Sequence, residues 1–405
     1  MDADNAYELE LRAERDELLA AYAAVDSRAA LLEFQLQLAT AITSREPAAF
    51  RSRTGEAKEH LRLLRLLGDG LAWQLLHPHA IRQLAKNPAP PPALGNQGDG
   101  FRQTLTAARE LTTDGHFVLI SDLTHCLTIG DLVVCDDPER PSIVECGGHE
   151  KFLHKGRKAR QLRRAQAVID QLRHGRAVFP GHDRPTQTLE LTTRPREMWA
   201  VVDRVVLAAS RTGSAAELSA DDNLVFAIRA DGESEALGAM RELTSHMTDP
   251  TLGIYTRLLE RPHSRVPPCV AWGISLEAKR LLYQGKVFIG HVVDVAAFIG
   301  HCRGDAEIVK VLREGEAITG FGVLVGDESL TFSHEFLTDV LLGFQTIESI
   351  AEAILEAAAR IVDLAEEPAW SEGSGTDAER RLEEWADGDG FVSPSLAWSE
   401  LNREH

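Results

Sequence analysis

The sequence lacks the patterns that identify several large classes of protein. No stretch of its 405 residues approaches the roughly 20 consecutive apolar residues that a membrane-spanning helix requires. It has no G-x-S-x-G turn of a serine hydrolase, no phosphate-binding loop with Walker spacing and no His-rich helix of a metalloprotease. The sequence therefore does not indicate these three activities, and we expect no membrane partner.

Cysteine is scarce and widely spaced. The chain has five cysteines and no C-x-x-C pair. A reducing, cytoplasmic environment fits this usage best. The alternative is a zinc site formed by Cys126, Cys135 and Cys146 with His125 or His149. Structural zinc sites usually show close pairs of ligands, which argues against it.

Positive charge is in the minority but is concentrated in one segment. Lys and Arg number 43 against 62 Asp and Glu, a net charge of −19, which argues against a general DNA-coating protein. Residues 151–176 nevertheless contain nine Lys or Arg residues and a single acid, Asp170. Two interpretations of this segment stay open: a focused phosphate-binding site, or a solvated helix face.

Apolar periodicity predicts an α/β or α+β protein with several regions. Helical spacing dominates the N-terminal part, and short apolar strands alternate with helices after it. A proline-rich stretch separates the two, because proline is excluded from the interior of helices and sheets. The predicted regions are a helical region 1–86, a linker 87–100, a central α/β domain 101–230, a C-terminal α/β domain 231–365 and an acidic tail 366–405.

The N-terminal helices and the acidic tail are the predicted surfaces for protein partners. Apolar residues recur at helical spacing between residues 5 and 84, with an interruption at 44–47. Such a helical hairpin packs against the rest of the chain or dimerises, so a homo-oligomer is one expectation. The tail is acidic and rich in Gly, Ser and Trp. It either keeps the protein soluble or binds a partner.

Two carboxylates lie in predicted strands immediately before the basic segment. Asp131 falls in the apolar run 129–135, and Glu145 falls in the run 142–146. An unpaired charge inside an apolar strand is costly, so we expect a metal ion or another cation beside these acids. Carboxylate oxygens suit Mg²⁺, or Mn²⁺ in its place, and such an ion activates water for phosphodiester hydrolysis.

Residues 100–230 resemble the core of the PD-(D/E)XK nuclease superfamily in this pattern. In that family an Asp ends one strand, Glu-x-Lys follows on the next, and a preceding helix often adds a third acid. The resemblance implies a restriction-endonuclease-like fold with a central mixed sheet flanked by helices, and Mg²⁺-dependent cleavage of DNA or RNA. It assigns the metal to Asp131 and Glu145, with Glu110 as the third acid.

The lysine of the family pattern is replaced here by Gly147. Some members of the superfamily carry it on the following helix, which would assign its role to Lys151, Lys155 or Lys158. The same helix would supply the side chains that contact nucleic acid: Arg157, Arg160, Gln161, Arg163 and Arg164. The sequence thus predicts a nuclease, and analogy suggests defence or repair. The alternative is a catalytically inactive nuclease fold that acts as a binding or scaffold subunit.

Two further groups of residues have competing interpretations. Asp122 and His125 lie between the first predicted strands, and they either contact or support the metal site, or form a turn and a surface histidine. Gly68-Asp69-Gly70 has the composition of a site, but we interpret its Asp-Gly step as the cap of a helix over residues 71–76.

Overall fold

Helices and antiparallel strands build two structural units. A computed structural model describes residues 3–51, 55–85, 91–146, 157–177, 186–187, 191–194, 196–218, 223–231, 244–245, 247–255, 266–302, 306–314, 317–333 and 341–366. The first unit comprises Met1–Thr188 and Arg257–Trp272, and the second comprises Leu189–Thr256 and Gly273–His405. This composition confirms the α+β class. Among the described residues, no helix is long and apolar enough to cross a membrane.

Helices dominate the beginning of the first unit. Its described helices are α1 (Ala3–Ala23), α2 (Arg28–Arg51), α3 (Gly55–Leu75), α4 (Pro78–Leu84), α5 (Asp99–Thr113) and α6 (Arg157–His174). Helices α1, α2 and α3 pack against one another through side chains that are almost completely buried, among them Leu19, Leu38, Ile42, Leu63 and Leu67. The burial of these periodic leucines is the main stabilising contribution of this bundle.

Helix α2 continues through Pro47, although the sequence predicted an interruption here. The carboxylate of Glu46 is 3% exposed and accepts hydrogen bonds from the N–H groups of Leu94 (2.8 Å) and Gly95 (2.8 Å). Arg65 of α3 donates to the same carboxylate at 3.5 Å. These tertiary contacts hold the turn in helical form and outweigh the hydrogen bond that proline removes from a helix.

The strands of the first unit form an antiparallel meander and a two-stranded ribbon. β1 (Val118–Ile120), β2 (Leu132–Val134) and β3 (Ser142–Val144) pair in the order β1-β2-β3, and β4 (Arg176–Ala177) pairs with β5 (Thr186–Gln187). Helix α5 packs against β1, and α6 contacts β3. Every strand pair in the described residues is antiparallel. The parallel pairing that the predicted mixed sheet requires is therefore not observed in this part of the chain.

The second unit is built on a four-stranded and a three-stranded sheet. Strands β6 (Ser214–Leu218), β7 (Leu224–Arg229), β8 (Pro250–Tyr255) and β9 (Val287–Asp294) pair in the order β6-β7-β9-β8. Strands β10 (Ala306–Glu314), β11 (Ala317–Val325) and β12 (Glu328–Ser333) form the other sheet. The described helices are α7 (Trp199–Thr212), α8 (Leu276–Tyr283), α9 (Val295–His301) and α10 (Ile347–Glu366). Phe298, Phe321 and Ile354 are fully buried where α9 and α10 meet the three-stranded sheet.

The predicted domain boundaries do not coincide with the two units. β7 pairs with β9 along its length, from Leu224 opposite Val292 to Arg229 opposite Val287. This strand therefore belongs to the second unit, although the predicted boundary followed residue 230. The predicted helical region and the β1-β2-β3 meander, in contrast, share the first unit. Pairing between strands that are distant in sequence decides this division, and local composition does not reveal it.

Candidate functional site

The two acids predicted to bind metal lie side by side at one end of the β2–β3 hairpin. Leu132 of β2 is the register partner of Val144 of β3, and Asp131 and Glu145 are the next residues outward. The N–H of Asp131 donates to the carbonyl of Val144 at 3.0 Å, which extends the pairing to this position. Because directly opposed residues have Cα atoms about 4.5–5.5 Å apart, both carboxylates can reach one cation.

The surroundings of the two acids differ from those predicted. Each acid lies one residue outside its strand, and Asp131 is half-buried whereas Glu145 is exposed. The expected burial inside an apolar strand is therefore wrong for Glu145, and desolvation does not force that carboxylate to bind a cation. Oδ2 of Asp131 accepts a hydrogen bond of 2.6 Å from the N–H of Cys146. This bond orients the carboxylate beside the chain that leaves β3.

A third carboxylate, Asp122, lies beside Asp131. It follows β1 in a short 3-10 turn, and the N–H of Ser121 in that turn donates to the carbonyl of Asp131 at 3.1 Å. The side chain of Gln97 donates to Oδ2 of Asp122 at 2.9 Å. Burial raises the pKa of Asp122; the hydrogen bond from Gln97 opposes this shift, and the charge of Asp131 adds to it. From the sequence alone, Asp122 had two interpretations: a residue at or near the metal site, or a turn-forming residue.

The thiol of Cys146 responds to the same charges. Burial raises its pKa to about 11, and the negative charges of Asp131 and Glu145 add to the shift. The pKa of this thiol therefore lies above that of an ordinary cysteine. Among the described residues, no three His, Cys, Asp or Glu side chains form a group that could hold a metal ion. The zinc alternative built on Cys126 and Cys135 thus gains no support, and His149 lies outside the described residues.

Glu110 does not join these acids. Helix α5 buries Phe101, Thr104 and Ala108, and the side chain of Thr104 forms a hydrogen bond with Cys146. At about 100° per residue, Glu110 lies about 200° around the helix from Ala108, and it is exposed. Its assignment as the third metal ligand is therefore not supported, because the helix phase turns it away from the hairpin. Sequence spacing alone did not fix that phase.

Helix α6 follows the hairpin and presents basic side chains to solvent. Ala165, Val168 and Leu172 are buried, and the helix packs against α4 and β3. Arg163 and Arg164 are exposed, which agrees with both interpretations of the basic segment. The other predicted basic and polar contacts have side chains outside the described part of the chain: Lys151, Lys155, Arg157, Lys158, Arg160 and Gln161. Gly147 lies outside it as well.

Helix α3 holds the turn that carries Asp122. Gly68 allows so close an approach that an added Cβ atom would lie 2.1 Å from the carbonyl oxygen of Leu123. Nε of Arg65, almost one turn earlier, donates to the carbonyl of Asp122 at 3.3 Å. The interpretation of Asp69 as a helix cap is wrong, because α3 continues past it for more than a turn. The signal in the sequence was a charged residue between two glycines inside an apolar helix.

Asp69 binds the next part of the same loop. Its carboxylate is 3% exposed and accepts hydrogen bonds from the N–H of His125 (2.6 Å), the N–H of Cys126 (2.9 Å) and Nδ1 of His125 (2.9 Å). A buried carboxylate is tolerated when it is bonded in this way. Arg65, Gly68 and Asp69 thus fix the loop between β1 and β2 onto one helix.

Comparison of the chain with protein-family models, with curated proteins and with solved structures finds no match. The function is therefore inferred from the site itself. Asp131 and Glu145 lie opposite each other at the end of the β2–β3 hairpin, and Asp122 lies in a turn beside Asp131. The basic helix α6 follows them in the chain. Hard oxygen ligands suit a divalent cation, and basic side chains suit a phosphate group.

Proposed function

We propose that the first unit is a nuclease that hydrolyses phosphodiester bonds of DNA or RNA with Mg²⁺ or Mn²⁺. The observation that carries this proposal is the register of the β2–β3 hairpin, which sets Asp131 against Glu145. Asp122 adds a third carboxylate next to Asp131. A role in defence or repair is an analogy with other modular nucleases.

The order of the elements supports a restriction-endonuclease-like fold for this unit. Helix α5, the meander β1-β2-β3 and helix α6 follow one another in the chain. Asp131 directly precedes β2 and Glu145 directly follows β3, whereas the PD-(D/E)XK pattern has its Asp at the end of one strand and its Glu on the next strand. Asp122, rather than Glu110, takes the position of the third acid in this proposal.

The donors present fit a hard cation. Mg²⁺ is commonly held in proteins by one or two carboxylates and keeps several water molecules, so it does not need a cage of three protein ligands. Asp131 and Glu145 would hold the ion, and Asp122 would accept a hydrogen bond from its water. When bound, the cation neutralises charge on the phosphate and makes water a better nucleophile.

The chain itself would bind and orient the nucleic acid. Exposed guanidinium groups of Arg163 and Arg164 on α6 suit the phosphate oxygens, with which arginine forms paired, charge-assisted hydrogen bonds. Such contacts position the backbone and carry no sequence information. The assignments of Arg157, Arg160 and Gln161 to the same surface stay predictions.

A second candidate function, a non-catalytic subunit, is favoured by two observations. Oδ2 of Asp131 is already held by the N–H of Cys146 at 2.6 Å, which is also what a purely structural Asp would do. The family pattern's lysine is replaced by Gly147. A protein of this kind would bind nucleic acid or a partner without cleaving it.

Cleavage of plasmid and single-stranded DNA and RNA, with and without Mg²⁺, tests the proposal. Asp131→Ala and Glu145→Ala should abolish Mg²⁺-dependent cleavage, because the cation loses one of its two ligands. The matched control is Glu139→Ala, which removes an exposed acid from the turn at the opposite end of the same hairpin. Equal cleavage by all four proteins would refute the site.

Calorimetric titration with Mn²⁺ separates the two candidate functions. Binding by the wild type that is lost in Asp131→Ala, together with cleavage, supports the nuclease. Cation binding without cleavage of any substrate, or nucleic-acid binding that does not depend on the cation, supports the non-catalytic subunit. Glu110→Ala should bind Mn²⁺ like the wild type, because its carboxylate lies on the far face of α5.

A further inference from the structure

The Asp69–His125 pair places an imidazole in the loop of the proposed site. Nδ1 of His125 lies 2.9 Å from Oδ2 of Asp69, and an ionised carboxylate only accepts hydrogen bonds. Nδ1 of the neutral imidazole therefore carries the proton, and Nε2 has an available lone pair. The buried Asp69 fixes the tautomer and the orientation of the ring.

The second ring nitrogen of His125, Nε2, is the one that would meet a reacting group. The side chain of His125 is 12% exposed. Within the described part of the chain, Nε2 has no hydrogen-bond partner. A pair that only anchored the loop would not need the imidazole, because the N–H groups of His125 and Cys126 already bind Oδ1 of Asp69 at 2.6 and 2.9 Å.

His125 is tied through the backbone to the acids of the site. The N–H and Oγ1 of Thr124 both donate to the carbonyl of Ser121, at 2.9 Å each. The N–H of Ser121 in turn donates to the carbonyl of Asp131 at 3.1 Å. His125 therefore follows a closed turn that carries Asp122 and rests against Asp131.

We propose that His125, oriented by Asp69, accepts the proton of the water that attacks the phosphodiester; this inference rests on the proposed function. Nε2 of His125 takes one proton from the water while the water oxygen forms a bond to phosphorus. The bond from phosphorus to the leaving oxygen breaks, and that oxygen takes a proton from solvent. The imidazolium returns its proton to solvent and restores the base. His125 thus performs the task for which the family pattern has a lysine, which Gly147 replaces.

His125→Asn is the sharpest test, because its amide can still donate to Asp69 but has no basic nitrogen. We expect the rate of Mg²⁺-dependent cleavage to fall by roughly 100-fold or more, the size of a general-base contribution, with the thermal midpoint and Mn²⁺ affinity unchanged. Added imidazole should restore part of the activity of His125→Ala. The matched control is His116→Asn, because Nδ1 of His116 also bonds a carboxylate, that of Asp136.

The outcomes are separable. Wild-type cleavage by His125→Asn refutes the role of His125 and leaves the site of Asp131 intact. Loss of Mn²⁺ binding in His125→Asn makes His125 a ligand and also refutes its role as the base. Failure of the wild type to cleave any substrate overturns the nuclease itself, and with it this inference. Nitrogen NMR of the ring gives a readout besides activity: Asp69→Asn should change the tautomer of His125, and an unchanged tautomer contradicts the positioning role of Asp69.

Discussion

Substitution of Gly68 by alanine tests the contact between α3 and the loop that carries Asp122 and His125. The added methyl group would lie 2.1 Å from the carbonyl oxygen of Leu123, and a backbone oxygen cannot rotate away as a side chain does. Ordinary van der Waals contact begins at 3.4 Å, so the loop must withdraw by more than an ångström (3.4 less 2.1). Such a shift also stretches the hydrogen bonds of Asp69.

The magnitude follows from these contacts. Overpacking in a core costs about 1–3 kcal/mol, and a weakened hydrogen bond to a charged group costs about 1.5–3 kcal/mol. Alanine regains about 1 kcal/mol of helix propensity over glycine. We therefore expect Gly68→Ala to lower the free energy of unfolding by about 3 kcal/mol, or the melting temperature by about 6–12 °C for a unit of roughly 200 residues.

Thermal and urea unfolding, followed by far-ultraviolet circular dichroism, measure this difference. Gly100→Ala is the matched control, because Gly100 lies in the first turn of α5 and an added Cβ atom meets nothing within 4 Å. It should be neutral or stabilise by about 0.5 kcal/mol. If Gly68→Ala unfolds like Gly100→Ala, the close approach of α3 to Leu123 is wrong.

Two further predictions concern single titrating groups. Burial and the charge of Asp131 raise the pKa of Cys146 to about 11, so iodoacetamide should modify Cys146 slowly near neutral pH. Peptide mass spectrometry should show faster modification of Cys146 in Asp131→Asn. Equal rates in the two proteins would contradict the effect of the Asp131 charge on the thiol. Burial opposes ionisation of Glu356, but hydrogen bonds from Thr192 and Thr193 lower its pKa to about 2 from the ordinary 4.5. The stabilising contribution of Glu356 is complete above pH 4.5 and is lost as the pH falls towards 2. The free energy of unfolding of Glu356→Gln should therefore depend less on pH over that window than that of the wild type. Parallel acid-unfolding curves for the two proteins would refute this.

Local sequence pattern located most elements of the proposed site. The runs 129–135 and 142–146, which were predicted as strands, contain β2 and β3, and the helix predicted after them corresponds to α6. Their order along the chain and the proximity of Asp131 to Glu145 also followed from the pattern, because a short turn between two strands forms a hairpin. The strands β2 and β3, at three residues each, are shorter than the predicted runs.

Other features depended on helix phase and on distant contacts. Glu110 and Asp122 were both acids near the predicted strands, but only the rotation of α5 and the docking of a turn onto α3 show that Asp122 is the one beside Asp131. Asp69 lies 56 residues from His125 in sequence. No local rule connects two polar residues at that separation, because their meeting depends on how a helix and a loop pack.

The sequence by itself determined the mixture of helices and strands, the acidic balance and the placement of two acids at the ends of successive strands, because composition, period and hairpin spacing are local properties of the chain. The tertiary structure decided which acids share a site, where the two units divide and which histidine is held by a buried carboxylate. These depend on the register of strands and the approach of backbones. In this protein that approach is set at Gly68, where the absence of a side chain lets α3 reach the loop that carries Asp122 and His125.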